Sequence, residues 1–141
     1  MAIEIRVFRE ADRAAVIALW ADAFAGDPAH NVSTEMIERK LRVQPDLFLV
    51  AMADGELVGT VMAGYDGVRG WLHRLAVSTS QRRAGVGTAL VRRAEAEMAK
   101  LGCPKVNLQV RATNAAVIGF YRAIGYDMDD NVSLGKRLLE T

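Results

Sequence analysis

The sequence predicts an α/β domain, a mixed sheet sandwiched between helices. Short runs of alternating apolar residues repeatedly give way to longer runs with helical spacing, the pattern of layered α/β architecture. The stretch from Leu72 to Thr88 passes from an apolar strand through a basic, glycine-bearing turn into a long helix. A length of 141 residues, without internal repeat, low-complexity tract or linker, fits one continuous domain over residues 1–141. Such a chain buries about two thirds of its unfolded surface in one core.

Ile3, Ile5 and Val7 alternate with charged residues as a first strand, β1, and Ala15, Leu19 and Trp20 mark helix α1 between Ala11 and Phe24. Gly26-Asp27-Pro28 breaks that helix. Ser33-Thr34-Glu35 starts an amphipathic helix, α2, through Met36, Ile37, Lys40 and Leu41 until Pro45. Leu47–Ala53 and Leu57–Gly64 read as β2 and β3, joined at Asp54-Gly55, a dipeptide suited to the positive φ angles of a tight hairpin. Tyr65 to Gly70 is a turn, Trp71–Val77 is β4, and a helix α3 from Gly85 to Leu101 ends at Gly102. Val106, Leu108 and Val110 alternate as β5, and Asn114 opens α4 through Ile124. Tyr126–Met128 and Val132–Leu138 supply one or two closing strands.

Apolar residues make up 51% and charged residues 25%, ordinary for a globular protein. A formal charge of +1 gives no global reason to expect a nucleic-acid or anionic-membrane partner. The amino terminus alternates strand-like at once, and no apolar run approaches the length of a membrane span, so a cytoplasmic protein is expected. Cys103 is the lone cysteine, without the partners of a disulfide or zinc site or an adjacent base, and reads as a buried structural residue.

The turn after β4 carries the chemistry. The first N–H groups of a helix have no intrahelical partner, the helix dipole adds positive potential, and glycine lets a phosphate approach the main chain. Arg82 and Arg83 add fixed charge, so the turn reads as a pyrophosphate cradle. Two other phosphate motifs fail. Gly85-x-Gly87 is followed by Leu90 where a dinucleotide fingerprint wants a third glycine, and neither the upstream glycine nor the Lys-Ser/Thr pair of a P-loop is present. A nucleic-acid surface built from Arg82, Arg83, Arg92 and Arg93 lacks interleaved aromatic residues.

Arg82-x-x-Gly85-x-Gly87, preceded by Leu75-Ala76-Val77 and followed by Asn114-x6-Phe120-Tyr121-x3-Gly125-Tyr126, resembles the acyl-CoA-binding pattern of the GCN5-related N-acetyltransferase (GNAT) superfamily. Gly64-Tyr65-Asp66-Gly67 and the tail Ser133 to Leu138 look like the small bacterial YpeA-type branch. The resemblance implies a three-layer sandwich with a strongly twisted mixed sheet, helices on both faces, and β4 and β5 splayed apart to admit pantetheine. It implies acetyl-CoA as co-substrate, bonded along the main chain near Leu75 and Val77, with Arg82, Arg83, Gly85, Gly87 and Thr88 at the pyrophosphate. It also implies an Asn114 contact to the pantetheine arm beside that residue's helix-capping role. Val117 stands where relatives often have Ala.

Within that resemblance the Val77 N–H would hold the oxyanion, a contribution of about 3 kcal/mol for one such donor. Tyr121 would protonate the leaving thiolate. Tyr126 reads as core. Many relatives carry a glutamate base near the start of β4, where this chain has Trp71-Leu72-His73-Arg74. Stripping a proton from an amine of lysine-like pKa at neutral pH costs on the order of 4 kcal/mol, so an acceptor is needed. His73 titrates in the right range, although a strand histidine facing solvent or another layer reads the same; Asp66 and Glu35 are weaker candidates.

The expected activity is direct acetyl transfer to a primary amine of a small molecule or peptide, with no metal required. The alternative is a non-catalytic acyl-CoA-binding regulatory module, which the missing β4 glutamate permits. Asp22, Asp27, Glu35, Asp129 and Asp130 lie in segments that would rim the acceptor pocket, as a cationic substrate would want or simply as solvated charges. Apolar residues of the last strand could pair two copies as a homodimer.

Overall fold

Period-two apolar patterning builds strands over most of the expected ranges. The computed structural model describes residues 2–26, 32–81 and 84–139, which divide into two compact units, Met1–Leu108 and Gln109–Thr141. In the first unit β1 (Ile3–Val7), β2 (Phe48–Ala53), β3 (Glu56–Tyr65), β4 (Gly70–Val77) and β5 (Val106–Leu108) lie side by side in that order. The first four are antiparallel, and β5 joins β4 in parallel. At the β2–β3 turn Asp54 and Gly55 both take left-handed backbone, φ 52° and 78°, as a primed two-residue hairpin demands.

Helices α1 (Arg13–Ala23) and α2 (Ser33–Lys40) cover one face of the sheet, and α3 (Val86–Lys100) covers the other. Two neighbouring residues of β3 fix these sides, because successive strand residues point to opposite faces. The Trp20 indole of α1 donates to the Thr60 hydroxyl at 2.8 Å. A Cβ on Gly59 would strike Val86 and Leu90 of α3, each at 2.9 Å.

On the α1 side the core gathers Phe8, Val16, Trp20, Ile37, Phe48, Val50, Met62 and Ala76. The rings of Phe8 and Phe48 stack at 4.5 Å, and Trp20 lies 6.0 Å from Phe48. On the far side Val86, Leu90, Val91, Ala94 and Met98 form the buried stripe of α3. Each large apolar side chain so buried contributes about 1.5–3 kcal/mol. Beside β1 the Arg6 guanidinium grips the buried Asp12 carboxylate with bonds of 2.8 and 2.9 Å.

β4 contains one residue more than its partner. Thr60 opposes Ala76, and Met62 opposes His73, so two steps on β3 match three on β4. The irregularity falls at Arg74, whose φ is 54°, a bulge that bends the strand and re-aims its side chains. His73 and Ala76, three residues apart, therefore both face α1 and α2. Thr60 braces the bulge by donating to the Arg74 carbonyl at 2.9 Å while accepting from Trp20. Beyond it β4 runs free of β5, whose ladder covers only Gly70–Leu72 against Val106–Leu108. The ladder ends where the resemblance expects the two strands to part.

The second unit contains α4 (Ala115–Ala123), capped by Asn114, whose Oδ1 accepts from the Val117 N–H at 3.2 Å. The strands expected at 126–128 and 132–138 do not form. Alternation marks a face that must be covered, but a strand also needs a backbone partner, and among the described residues of this unit no other strand exists. Val132, Leu134 and Leu138 are accordingly 86, 92 and 86% exposed. β5 stops at Leu108, short of the expected Val110. Cys103 is half-buried, its thiol 3.4 Å from the Lys105 carbonyl, so the reading as a buried residue is corrected.

Candidate active site

The described residues that follow β4 lead into α3 as the sequence leads one to expect. A short 3-10 turn, Thr79–Gln81, precedes Gly85, which caps α3 with a left-handed φ of 83°. Among the described residues a Cβ at Gly85 would meet nothing within 4 Å, so the approach to its main chain is open there. The Gly85 carbonyl accepts the Ala89 N–H at 3.0 Å, and the N–H groups of Val86, Gly87 and Thr88 begin a helix that offers them no acceptor. Gly87 and Thr88 are half-buried. These donors at the positive end of a helix dipole suit an anionic diphosphate. Arg82 and Arg83 lie outside the described residues, as does Asp27.

Val77 ends β4 with its N–H turned away from β3. The Ser78 N–H bonds the Val58 carbonyl at 2.8 Å, and hydrogen-bonding edges alternate along an antiparallel strand. The N–H of Val77 therefore points to the edge where β5 no longer pairs. Leu75 lies within the bulge, half-buried.

His73 opens onto a depression of about 230 Å³ on the α2 side of the sheet, shared with Lys40, Val43, Gln44, Met62, Tyr65, Asp66 and Trp71. The residue is exposed, yet the protein around the imidazole, followed by the charges of Lys40 and Arg74, lowers its pKa. At neutral pH it is an uncharged proton acceptor. Asp66 is committed elsewhere. Its carboxylate accepts the Val68 and Arg69 N–H groups, each at 2.8 Å, and these bonds, with one from the Trp71 indole, hold its pKa below the usual range. Glu35 is exposed on α2 with Arg39 3.9 Å away, and Asp22 is exposed on α1.

Tyr121 and Asn114 belong to the second unit. Tyr121 is buried on α4, edge-on to Phe120 at 5.0 Å and to Tyr126 at 5.5 Å. Burial pushes its phenol up to about 12, so it stays protonated at neutral pH and can act as an acid. Asp129 and Asp130 are exposed in the same unit.

Three residues that shape this region escaped the sequence reading. Thr60 and Arg74 were two of them. The Arg74 guanidinium lies 4.3 Å from the Phe24 ring and 5.4 Å from the Trp20 ring, with its Nε 3.1 Å from the Met36 sulfur. It thus ties the bulge to both helices above it, and a positive φ at an arginine leaves no trace in the sequence. Lys40, the third, did leave a signal. It occupies the apolar stripe of α2, where a charged residue signals a specific destination, and its Nζ donates to the Ala63 carbonyl.

Among the described residues no group of three His, Cys, Asp or Glu side chains could hold a metal, and no helix is long and apolar enough to cross a membrane. The profile of the family described as Acetyltransferase (GNAT) family matches residues 13–126. An acetyltransferase of Pectobacterium atrosepticum is 47% identical over 138 residues, 98% of this chain and 97% of that protein. Among solved structures, Ard1 from Thermoplasma volcanium superposes with a TM-score of 0.81 at 26% identity, covering 92% of this chain and 85% of that one. The PaiA N-acetyltransferase of Thermoplasma acidophilum, in complex with coenzyme A, gives 0.75 at 26% identity over 94% of each chain. A β4 edge left unpaired beyond Leu72, an open helix amino terminus after it, and these matches over nearly the whole length lead to one assignment: the chain belongs to the GNAT acetyltransferase family.

Proposed function

We propose that this protein works in the cytoplasm as a single N-acetyltransferase domain over residues 1–141. It transfers acetyl from acetyl-CoA to a primary amine of a small molecule or peptide by direct attack. The observation that carries this reading is the continuous run from the unpaired β4 edge at Val77 to the open amino terminus of α3. Along that run the main chain offers donors first for an acyl carbonyl and then for a diphosphate. Coenzyme A in the PaiA complex supports the same ligand here.

In this mechanism the Leu75 and Val77 main chain aligns the pantetheine arm, assisted by Asn114. Gly85, Gly87 and Thr88, with Arg82 and Arg83, hold the pyrophosphate. His73 takes the proton that the amine sheds as its nitrogen bonds the thioester carbon. The Val77 N–H donates to the oxyanion of the tetrahedral intermediate. As that intermediate collapses the carbon–sulfur bond breaks, and Tyr121 gives its phenolic proton to the departing thiolate. The lowered His73 pKa and the raised Tyr121 pKa put base and acid in the required forms at neutral pH. Pairing of two copies through the apolar residues of 132–138 belongs to the same reading, and light scattering tests it.

Acetyl-CoA at about 100 times its Kd should add about 2.7 kcal/mol of stability, several degrees of Tm. Tyr121→Phe should keep that shift while losing about 100-fold or more in kcat. No shift with the wild-type chain would defeat the reading. A shift with unchanged turnover in Tyr121→Phe would remove Tyr121 from the chemistry.

A further inference from the structure

The depression beside His73 is selective in what it leaves unsatisfied. Gln44 is consumed by β3, its Nε2 donating to the Tyr65 carbonyl at 2.9 Å and its Oε1 accepting the Tyr65 N–H at 2.8 Å. The Tyr65 hydroxyl donates to the Gly67 carbonyl at 3.3 Å. Asp66 is occupied by Val68, Arg69 and the Trp71 indole. Two nitrogen groups remain. Lys40 spends one of its three ammonium protons on the Ala63 carbonyl, and among the described residues the His73 imidazole has no hydrogen-bond partner. The rest of the lining, Val43, Met62, Ala63 and the Trp71 ring, is largely apolar.

The Asp46 carboxylate attracts Lys40 electrostatically without taking a hydrogen bond from it, so a half-buried ammonium with two unused donors on an apolar wall still favours an anionic partner. A second cation entering here would meet Lys40 at close range and be repelled. The volume, about 230 Å³, lies below the ~300 Å³ at which pockets for drug-sized ligands begin. It therefore suits one side chain or a small amino acid.

We propose that the amine acceptor also carries a carboxylate on an apolar body, and that Lys40 binds this carboxylate while Val43, Met62 and Trp71 cover the body and His73 faces the amine. The proposal rests on the acetyltransferase reading and specifies its acceptor class. Lys40 is here a specificity-determining residue, and the acidic residues at the outer segments do not select the substrate.

Trp71 supplies a binding signal that needs no turnover, since Trp20 is buried away from the depression. Tryptophan fluorescence is titrated with leucine, phenylalanine and 4-(aminomethyl)benzoate, each beside its carboxamide. At least one acid should bind about tenfold or more tighter than its amide, the scale of one charge-assisted hydrogen bond. Lys40→Met should bring that ratio toward one, and Lys40→Arg should preserve it, which separates lost charge from lost folding. Equal binding of acids and amides, tighter amides, silence with every acid, or a ratio that survives Lys40→Met overturns the proposal. Coenzyme A release keeps the two readings apart. Efficient transfer to an acceptor without a carboxylate overturns only the acceptor class. Failure of acetyl-CoA to bind, with acid-selective quenching intact, overturns only the acetyltransferase reading and leaves the carboxylate site standing.

Discussion

Replacing Thr60 with Val removes one oxygen from the middle of the protein and keeps the shape of the side chain. In the wild-type chain that oxygen is fully buried, accepts the Trp20 indole N–H at 2.8 Å and donates to the Arg74 carbonyl at 2.9 Å. The valine variant strands a buried donor and a buried carbonyl together, each at about 1–3 kcal/mol, so the loss should be near 3 kcal/mol. At roughly 3–4 °C per kcal/mol for a domain of this length, Tm should fall by about 10 °C. Thr60→Ser keeps the hydroxyl and should lose only about 1 kcal/mol for the deleted methyl. Urea unfolding of the three proteins, with the m-value unchanged, measures both differences. The valine variant should also lose turnover at a temperature where it remains folded, because the carbonyl it releases belongs to the bulge between His73 and Val77. If Thr60→Val unfolds within about 0.5 kcal/mol of wild type, the range of an ordinary surface change, the hydroxyl does not brace the bulge and the reasoning fails.

Other expectations follow from charges and close contacts. The Arg6 pair, opposed by burial and aided by the Arg9 N–H, holds the Asp12 carboxyl below its usual pKa of 3.8. Its stabilisation is complete above that unfolded value and disappears as pH falls through the lower folded one. Asp12→Asn should therefore flatten the acid limb of stability against pH, as read by thermal melts. A His73 pKa depressed below 6.5 predicts kcat/KM that is level through neutrality and declines only below that value, and His73→Gln should remove that limb along with most activity. Gly59→Ala should cost about 1–3 kcal/mol, because the added carbon must displace Val86 and Leu90; a melt matching wild type would mean α3 yields freely there.

Elements whose signals are local could be read from the sequence. The Asp54-Gly55 hairpin, the Gly85 cap and the Asn114 cap each follow from backbone preferences of one or two residues, and all three stand where expected. The tail could not be read this way. Alternating Val132, Leu134 and Leu138 satisfied a strand pattern, but pairing is a property of two segments. The site divides along the same line. The open start of α3 and the β4 edge at Val77 lie on one continuous stretch and could be read from it, whereas the depression joins Lys40 to Ala63, and the bulge joins Thr60 to Arg74, across gaps of 23 and 14 residues. Even so, a lysine on the apolar stripe of α2 was a usable clue.

The extra residue in β4 makes that strand's length a coded quantity. Because the bulge turns His73 and Ala76 to one face, regular pleating at the present length would send either the histidine or the core alanine to the α3 side, whereas a one-residue deletion between them would remove the bulge and leave both facing as they do. A deletion library across the chain should therefore find residues 73–76 more tolerant of losing one residue than the rest of β4. Exchanges of side chain at Leu75, which is only half-buried, should survive. Diversification of this scaffold by deletion is thereby confined to its turns and to this one bulge.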